Sequence, residues 1–225
     1  MQGLLRGTIA KTEEVERGME NRLPAGFGGL ILAAGLSSRM GQFKPLLPLR
    51  GRTVLENTVD SMLDAGVEEP VVVLGYRAAE LEVLVKSRYG NGRVRLAYNR
   101  RYAETDMLAS IREGLAALPS CRAFFLLPGD MPLVTGKTFR LLGQAMPEGN
   151  RSIVFPLVNG RRAHPPLIGS AFIGPICRYG GTGGLRGFWR TQQEHILDVP
   201  AEDPGCCQDL DTPQQYQSCL ARLSK

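Results

Sequence analysis

The 225-residue sequence has little histidine, no paired cysteine motif and no long apolar run. Two histidines, His164 and His195, are too few for histidine-rich metal chemistry. The five cysteines (Cys121, Cys177, Cys206, Cys207, Cys219) are odd in number and form no CxxC. That argues against a disulfide framework or a zinc site and for a reducing, cytoplasmic setting. Cys206 and Cys207 read as two thiols of a surface loop. No wholly apolar run exceeds five residues, as in Leu30–Ala34, so no membrane span of about 20 apolar residues is expected. The first residues carry Glu13, Glu14 and Glu16 and no apolar stretch, so no secretory signal is expected either. No run of five like charges exists, and no basic segment interleaved with aromatics. Nucleic acid and membrane are therefore not expected as partners.

What is present is an ordinary globular composition, 43% hydrophobic and 22% charged. A chain of this length buries roughly 70% of its unfolded surface and needs no staple. The net charge is +5. Between Gly29 and Leu55 lie Arg39, Lys44, Arg50 and Arg52 with no acidic residue. That local excess suits a small phosphorylated ligand better than a long polyanion.

Residues 1–27 mix charges with few apolar residues and read as a poorly ordered appendage outside the fold; Met19 would begin a more economical chain. Residues 28–225 read as one domain. Short apolar runs alternate with helical stripes. Leu30–Ala34, Val71–Leu74, Val94–Tyr98 and Phe124–Leu127 are strand-like, with Ser152–Val158, Leu167–Phe172 and His195–Val199 after them. Helical spacing runs from Val54 to a stop at Gly66, over Ala78–Arg88, from Leu108 to Leu118, over Thr138–Met146 and over Gly184–Gln192. Thr212-Pro213-Gln214-Gln215 opens a last helix with Thr as N-cap and Gln at N3. Continuous apolar strands between helices predict a Rossmann-like, doubly wound α/β fold, its mostly parallel sheet covered by helices on both faces. Such sheets bind ligands at the carboxyl ends of their strands. The loops after Ala34, Leu74 (starting at Gly75), Tyr98 and Leu127 are the places to look.

The first chemistry-bearing loop is Leu32-Ala33-Ala34-Gly35-Leu36-Ser37-Ser38-Arg39-Met40-Gly41-Gln42-Phe43-Lys44. Gly35 and Gly41 allow positive φ and close approach, and the amides, Arg39 and Lys44 can surround a triphosphate. The spacing is not that of a Walker A loop. The second is Pro128-Gly129-Asp130-Met131-Pro132, a carboxylate at a strand end that suits a divalent cation against phosphate oxygens. The third is Asp209-Leu210-Asp211-Thr212-Pro213, whose alternation places Asp209 and Asp211 on one side.

The first loop is similar to the nucleoside-triphosphate signature LAxGxSxRMGxxK of the MobA-like nucleotidyltransferases, which include the molybdenum-cofactor guanylyl- and cytidylyltransferases. The match takes in Leu32, Ala33, Gly35, Ser37, Arg39, Met40, Gly41 and Lys44. The order of the three motifs agrees, and the likeness spans about residues 29–217. It implies a nucleotide-diphospho-sugar transferase-like fold. It also implies nucleotide contacts from this loop (Ala34 and Ser38 included), from Gly75, Asn99 and Ser110, and from Pro128, Gly129 and Asp130. Arg39, Lys44 and Asp130 would be catalytic, and Asp130 and Asp211 would hold Mg²⁺, with Asp209 in support.

The segment Asn99-x2-Tyr102…Met107-Leu108-x-Ser110-Ile111 resembles one that lies beside the nucleotide in the family. Asp106 stands where glycine is usual and could instead cap a helix. On the acceptor side the resemblance implies Met131, His164, Pro165, Gly183 and Arg186. Arg162-Ala163-His164-Pro165 corresponds to Arg-x-His-Pro. The Gly180–Arg186 turn keeps Gly183 and Arg186 of the pattern G-D-x-G-A-R but not its aspartate.

The implied reaction is attack of an acceptor phosphate on the α-phosphorus of a nucleoside triphosphate, with loss of pyrophosphate. An anionic nucleophile needs no general base, which suits a histidine-poor chain. The LAAG form at Leu32–Gly35 accompanies cytidylyl transfer in the family, and the Cβ of Ala34 narrows the base end. CTP and a molybdopterin-type acceptor are therefore expected, with a molybdenum hydroxylase as recipient of the product. The alternatives are GTP or another phosphorylated acceptor, or a non-catalytic accessory protein for hydroxylase maturation.

Overall fold

The computed structural model describes residues 23–38 and 40–223. In chain order, β1 (Phe27–Ala33) leads to a small hairpin of β2 (Pro48–Leu49) and β3 (Arg52–Thr53). Then come α1 (Val54–Ala65), β4 (Val71–Leu74), α2 (Ala78–Tyr89), β5 (Arg95–Tyr98), α3 (Met107–Ala117), β6 (Ala123–Pro128) and α4 (Gly136–Ala145). The second half adds β7 (Ile153–Val158), β8 (Arg161–Arg162), β9 (Leu167–Gly169), α5 (Ile173–Arg178), α6 (Gly184–Thr191), β10 (Ile196–Pro200) and α7 (Pro213–Leu223).

The sheet order is β10-β7-β9-β6-β1-β4-β5, with β8 paired to β7. β1 runs parallel to both β4 and β6. The chain builds β4 and β5 on one side of β1 and then crosses to β6 on the other. That reversal opens a crevice above the carboxyl ends of β1 and β6. Within this sheet, among the described residues, only β9 and β8 run antiparallel to their neighbours.

The apolar runs form strands because successive residues enter two different cores. Ile31, Val72, Phe125 and Leu127 pack with Leu55, Val59 and Met62 of α1 and Phe139 of α4. Leu30, Val71, Val73, Phe124 and Leu126 pack with Leu108, Ile111 and Leu115 of α3 and Phe188 of α6. Each such side chain taken fully from water contributes roughly 1.5–3 kcal/mol. Gly114 lets α3 lie close on the sheet: a Cβ there would stand 2.2 Å from Leu30 Cδ1. The doubly wound, mostly parallel arrangement is the one expected from the alternation. A third cluster joins α7 to the hairpin and to Met40, through Leu47, Leu49, Val54, Leu210, Tyr216 and Cys219.

Several local expectations hold. Gly66 ends α1 at φ 105°; the start of that helix is fixed by a capping box of Thr53 and Glu56 that was not anticipated. Thr212 and Gln215 form the reciprocal pair expected at α7.

Others need correction. Residues 1–22 of the expected appendage lie outside the described residues. Leu23 is buried and its N–H donates to Ala65 O, and Phe27 begins β1, so the domain starts before residue 28. The Leu167–Phe172 strand stops at Gly169, where Ser170–Phe172 tightens into a 3-10 turn. The hairpin and α5 were not anticipated: their segments are too short, and in α5 too rich in Gly and Pro, to show a period. Cys206 is not a surface thiol. It is 1% exposed, and burial pushes its thiol up to about 12, while Cys207 is exposed.

Candidate active site

A cavity of about 360 Å³ opens over the carboxyl ends of β1 and β6. One wall is the end of β1 and its loop: Leu32, Ala33, Ala34, Gly35, Ser37, Ser38, Lys44 and Pro45. Ser37 holds the loop in shape. It takes a left-handed φ of 55°, its carbonyl accepts from Met40 N–H, and its Oγ accepts from Lys44 N–H at 3.2 Å. Of the two glycines expected at positive φ, Gly41 adopts it (69°) and Gly35 does not; the strained position is Ser37 instead. Met40 points into the third apolar cluster and is 5% exposed, so it anchors the loop from behind. Gly41 is exposed and does not line the cavity. Arg39 lies outside the described residues.

The facing wall is Pro128, Gly129 and Asp130 at the end of β6, with Asp211 beside them. Gly129 N–H donates to Leu32 O at 2.8 Å, which joins the two motifs. Thr58 Oγ1, fully buried in α1, lies 3.2 Å from Gly129 O and braces the turn from below. Leu210 N–H donates to Asp130 O at 3.1 Å, which brings the C-terminal motif to the same place.

Lys44 joins all three motifs. Its Nζ is 2.6 Å from Asp130 Oδ2 and 2.6 Å from Asp211 Oδ1, and its side chain is 11% exposed. Burial pulls the Lys44 ammonium down, but the hydrogen bonds and charges of Asp130 and Asp211 together outweigh it, and the net shift is upward. Asp209, expected on the same side as Asp211, does not line the cavity, and its Oδ1 accepts from Gln215 Nε2 on α7.

The third side of the cavity is the segment into α3: Tyr102, Thr105, Asp106, Met107 and Ser110. Asp106 caps α3, its Oδ1 accepting from Ala109 N–H at 3.0 Å. Asn99 is buried behind this wall. Its Nδ2 donates to Ser110 Oγ and Thr105 Oγ1, so it sets the wall without lining it. Gly75 is also behind: a Cβ there would meet Ala34 O at 2.7 Å. Pro45 and Thr105 also line the cavity; neither was among the expected site residues, though both stand within a few residues of a motif.

The residues expected on the acceptor side do not line the cavity. Met131 is a core residue, 3% exposed. His164 lies behind Asp130, its N–H donating to Cys206 O and its Nδ1 shielded without a partner among the described residues. Burial lowers its imidazole, with the nearby Arg186 charge acting in the same direction. Gly183, at φ 84°, heads α6, where the next residue, Gly184, faces Asp106 Oδ2.

A profile of the MobA-like NTP transferase domain matches residues 29–196. The chain belongs to the MobA-like NTP transferase family. This MobA-like transferase is 28% identical over 197 residues to molybdenum cofactor cytidylyltransferase of Escherichia coli strain K12, covering 87% of this chain and 96% of that one. It is 30% identical over 200 residues to nicotine blue oxidoreductase of Paenarthrobacter nicotinovorans, covering 85% and 95%. Among solved structures, the Rv0371C protein of Mycobacterium tuberculosis in complex with manganese superposes with a TM-score of 0.65. It shares 27% identity and covers 88% of this chain and 99% of its own. Among the described residues of this MobA-like transferase, no helix is long and apolar enough to cross a membrane.

Proposed function

We propose that the chain transfers CMP from CTP to the phosphate of a molybdopterin-type acceptor, releasing pyrophosphate. The observation that carries this reading is the convergence of Lys44, Asp130 and Asp211 at the mouth of a cavity walled by the signature loop. Asp130 and Asp211 present one oxygen each to a single point. Such a pair fits Mg²⁺, which is held by one or two carboxylates together with substrate phosphates. When bound there, Mg²⁺ would offset charge on the phosphates of the nucleotide and the acceptor.

The chain's own residues supply the rest. The amides around Gly35–Ser38 and the Lys44 ammonium hold the triphosphate, and Arg39 adds charge for the departing pyrophosphate. Gly129, locked to Leu32 O, keeps Asp130 at the α-phosphate. No side chain is needed as a base, because the attacking phosphate oxygen is already anionic. His164, its imidazole held down by burial, is not placed to remove a proton from a group in the cavity. Catalysis is then positioning and charge stabilisation. Ala34 lines the cavity at the end of β1 with its side chain in the apolar core, and the LAAG form at Leu32–Gly35 supports a pyrimidine. The product would pass to a molybdenum hydroxylase.

The likeness to nicotine blue oxidoreductase supports a second reading, a redox reaction on a heterocyclic substrate. A lysine clasped by two carboxylates serves phosphate chemistry better than electron transfer. The test is pyrophosphate release with Mg²⁺, molybdopterin cofactor and CTP, GTP, ATP or UTP in turn. Release with CTP alone, dependent on the cofactor, is the expected result. Release with another nucleotide corrects the assignment from Ala34. No release with any nucleotide overturns the assignment of a molybdopterin-type acceptor.

A further inference from the structure

The carboxylate pair that fits a divalent cation already holds a cation of the chain itself. Lys44 Nζ contacts Asp130 Oδ2 and Asp211 Oδ1, both at 2.6 Å. Its backbone is fixed: Lys44 N–H donates to Ser37 Oγ, and its carbonyl accepts from Leu47 N–H in the turn Lys44–Leu46. The side chain, by contrast, is a four-carbon stem with a single terminal charge, free to swing between partners a few ångströms apart.

We propose that Lys44 is the internal stand-in for the metal. With no substrate its ammonium occupies the space between Asp130 and Asp211, and the metal is admitted only together with a triphosphate that draws Lys44 away. This rests on the metal site assigned under Proposed function. An ammonium and a divalent cation cannot share two carboxylate oxygens, since their mutual repulsion at contact in a half-buried site is not screened by water. Nor can Lys44 leave on its own, because two half-buried carboxylates would then face each other uncompensated. A triphosphate resolves both conflicts. Its oxygens in the same cavity give Lys44 a new anionic partner, and the vacated carboxylates then need a cation. Metal and nucleotide must therefore bind with positive coupling, and the coupling is reciprocal.

Mn²⁺ binding, read by the electron paramagnetic resonance of free aqueous Mn²⁺, separates the possibilities without relying on turnover. Wild type, Lys44→Gln and Lys44→Met are titrated with and without CTP. The expected result is weak Mn²⁺ binding by wild type alone and tight uptake when CTP is present. Both Lys44 variants should bind Mn²⁺ without nucleotide about tenfold or more tightly than wild type, within the usual range of coupling. A further Asp130→Asn change should abolish that gain. Two variants guard against one that fails to fold. If wild type takes up Mn²⁺ with CTP but neither Lys44 variant gains affinity without it, the stand-in role is overturned and the metal site stands. If no form binds Mn²⁺ under any condition, the metal site itself is wrong.

Discussion

At the scale of single residues, the active site depends on contacts that leave no room for a larger side chain. Gly129 is the clearest case. Its N–H donates to Leu32 O, and a Cβ at that position would stand 2.9 Å from the same oxygen and 3.3 Å from Ala33 Cβ. The backbone carbonyl of β1 cannot move without disturbing its pairing to β4, so the turn carrying Asp130 would have to give. Gly129→Ala is predicted to cost about 1–3 kcal/mol in stability, as overpacking does. It should lower kcat much more than it raises KM for CTP, because Asp130 is displaced while the signature loop is intact. Steady-state kinetics and urea unfolding check this together. Wild-type kcat in a destabilised variant would show that the Leu32–Gly129 contact does not set Asp130.

At the scale of elements, what could be read from the sequence was what is local. The caps at Asp106 and Thr212–Gln215 follow from spacing within four residues, and both are present. The strand runs were legible because continuous apolar stretches have one explanation in a sheet covered on both faces. The signature loop and Asp130 lie at strand ends where the fold class places ligands. Long-range contacts were not legible. The contact of His164 N–H with Cys206 O is one that no local pattern encodes. α4 shows the same limit. Its first turn is capped not by Thr135 but by Asp203, whose Oδ2 accepts from Thr135 N–H, Thr135 Oγ1 and Thr138 Oγ1 at 2.7–2.9 Å. Asp203 Oδ1 accepts from Gly205 N–H at 3.0 Å. Asp203 is 8% exposed, so its removal strands several donors away from water. Asp203→Ala should cost about 2–4 kcal/mol. The urea midpoint should fall with the slope unchanged, whereas Asp203→Asn should lose less. A loss below about 0.5 kcal/mol, the level of a neutral surface change, would contradict the clamp.

For the whole molecule, the site is assembled from distant parts of the chain: Lys44 and Asp211 are 167 positions apart. His164 sits where those parts meet, donating its N–H to Cys206 O behind Asp130. Burial holds its imidazole below the ordinary 6.5, in the neutral form. In the unfolded chain the ring takes up a proton near pH 6.5. Below that pH the unfolded state binds more protons than the folded state, so this residue makes stability fall as pH falls. The loss continues until the lowered folded value is reached, and above pH 6.5 the contribution is flat. Thermal unfolding of wild type between pH 7.5 and 5 should therefore show a steeper loss of Tm on acidification than His164→Gln shows. The variant should be less stable than wild type at pH 7.5, with the gap narrowing toward pH 5. Parallel Tm curves would mean that His164 takes up its proton in the folded protein as readily as in the unfolded chain. The junction behind Asp130 would then be open to water.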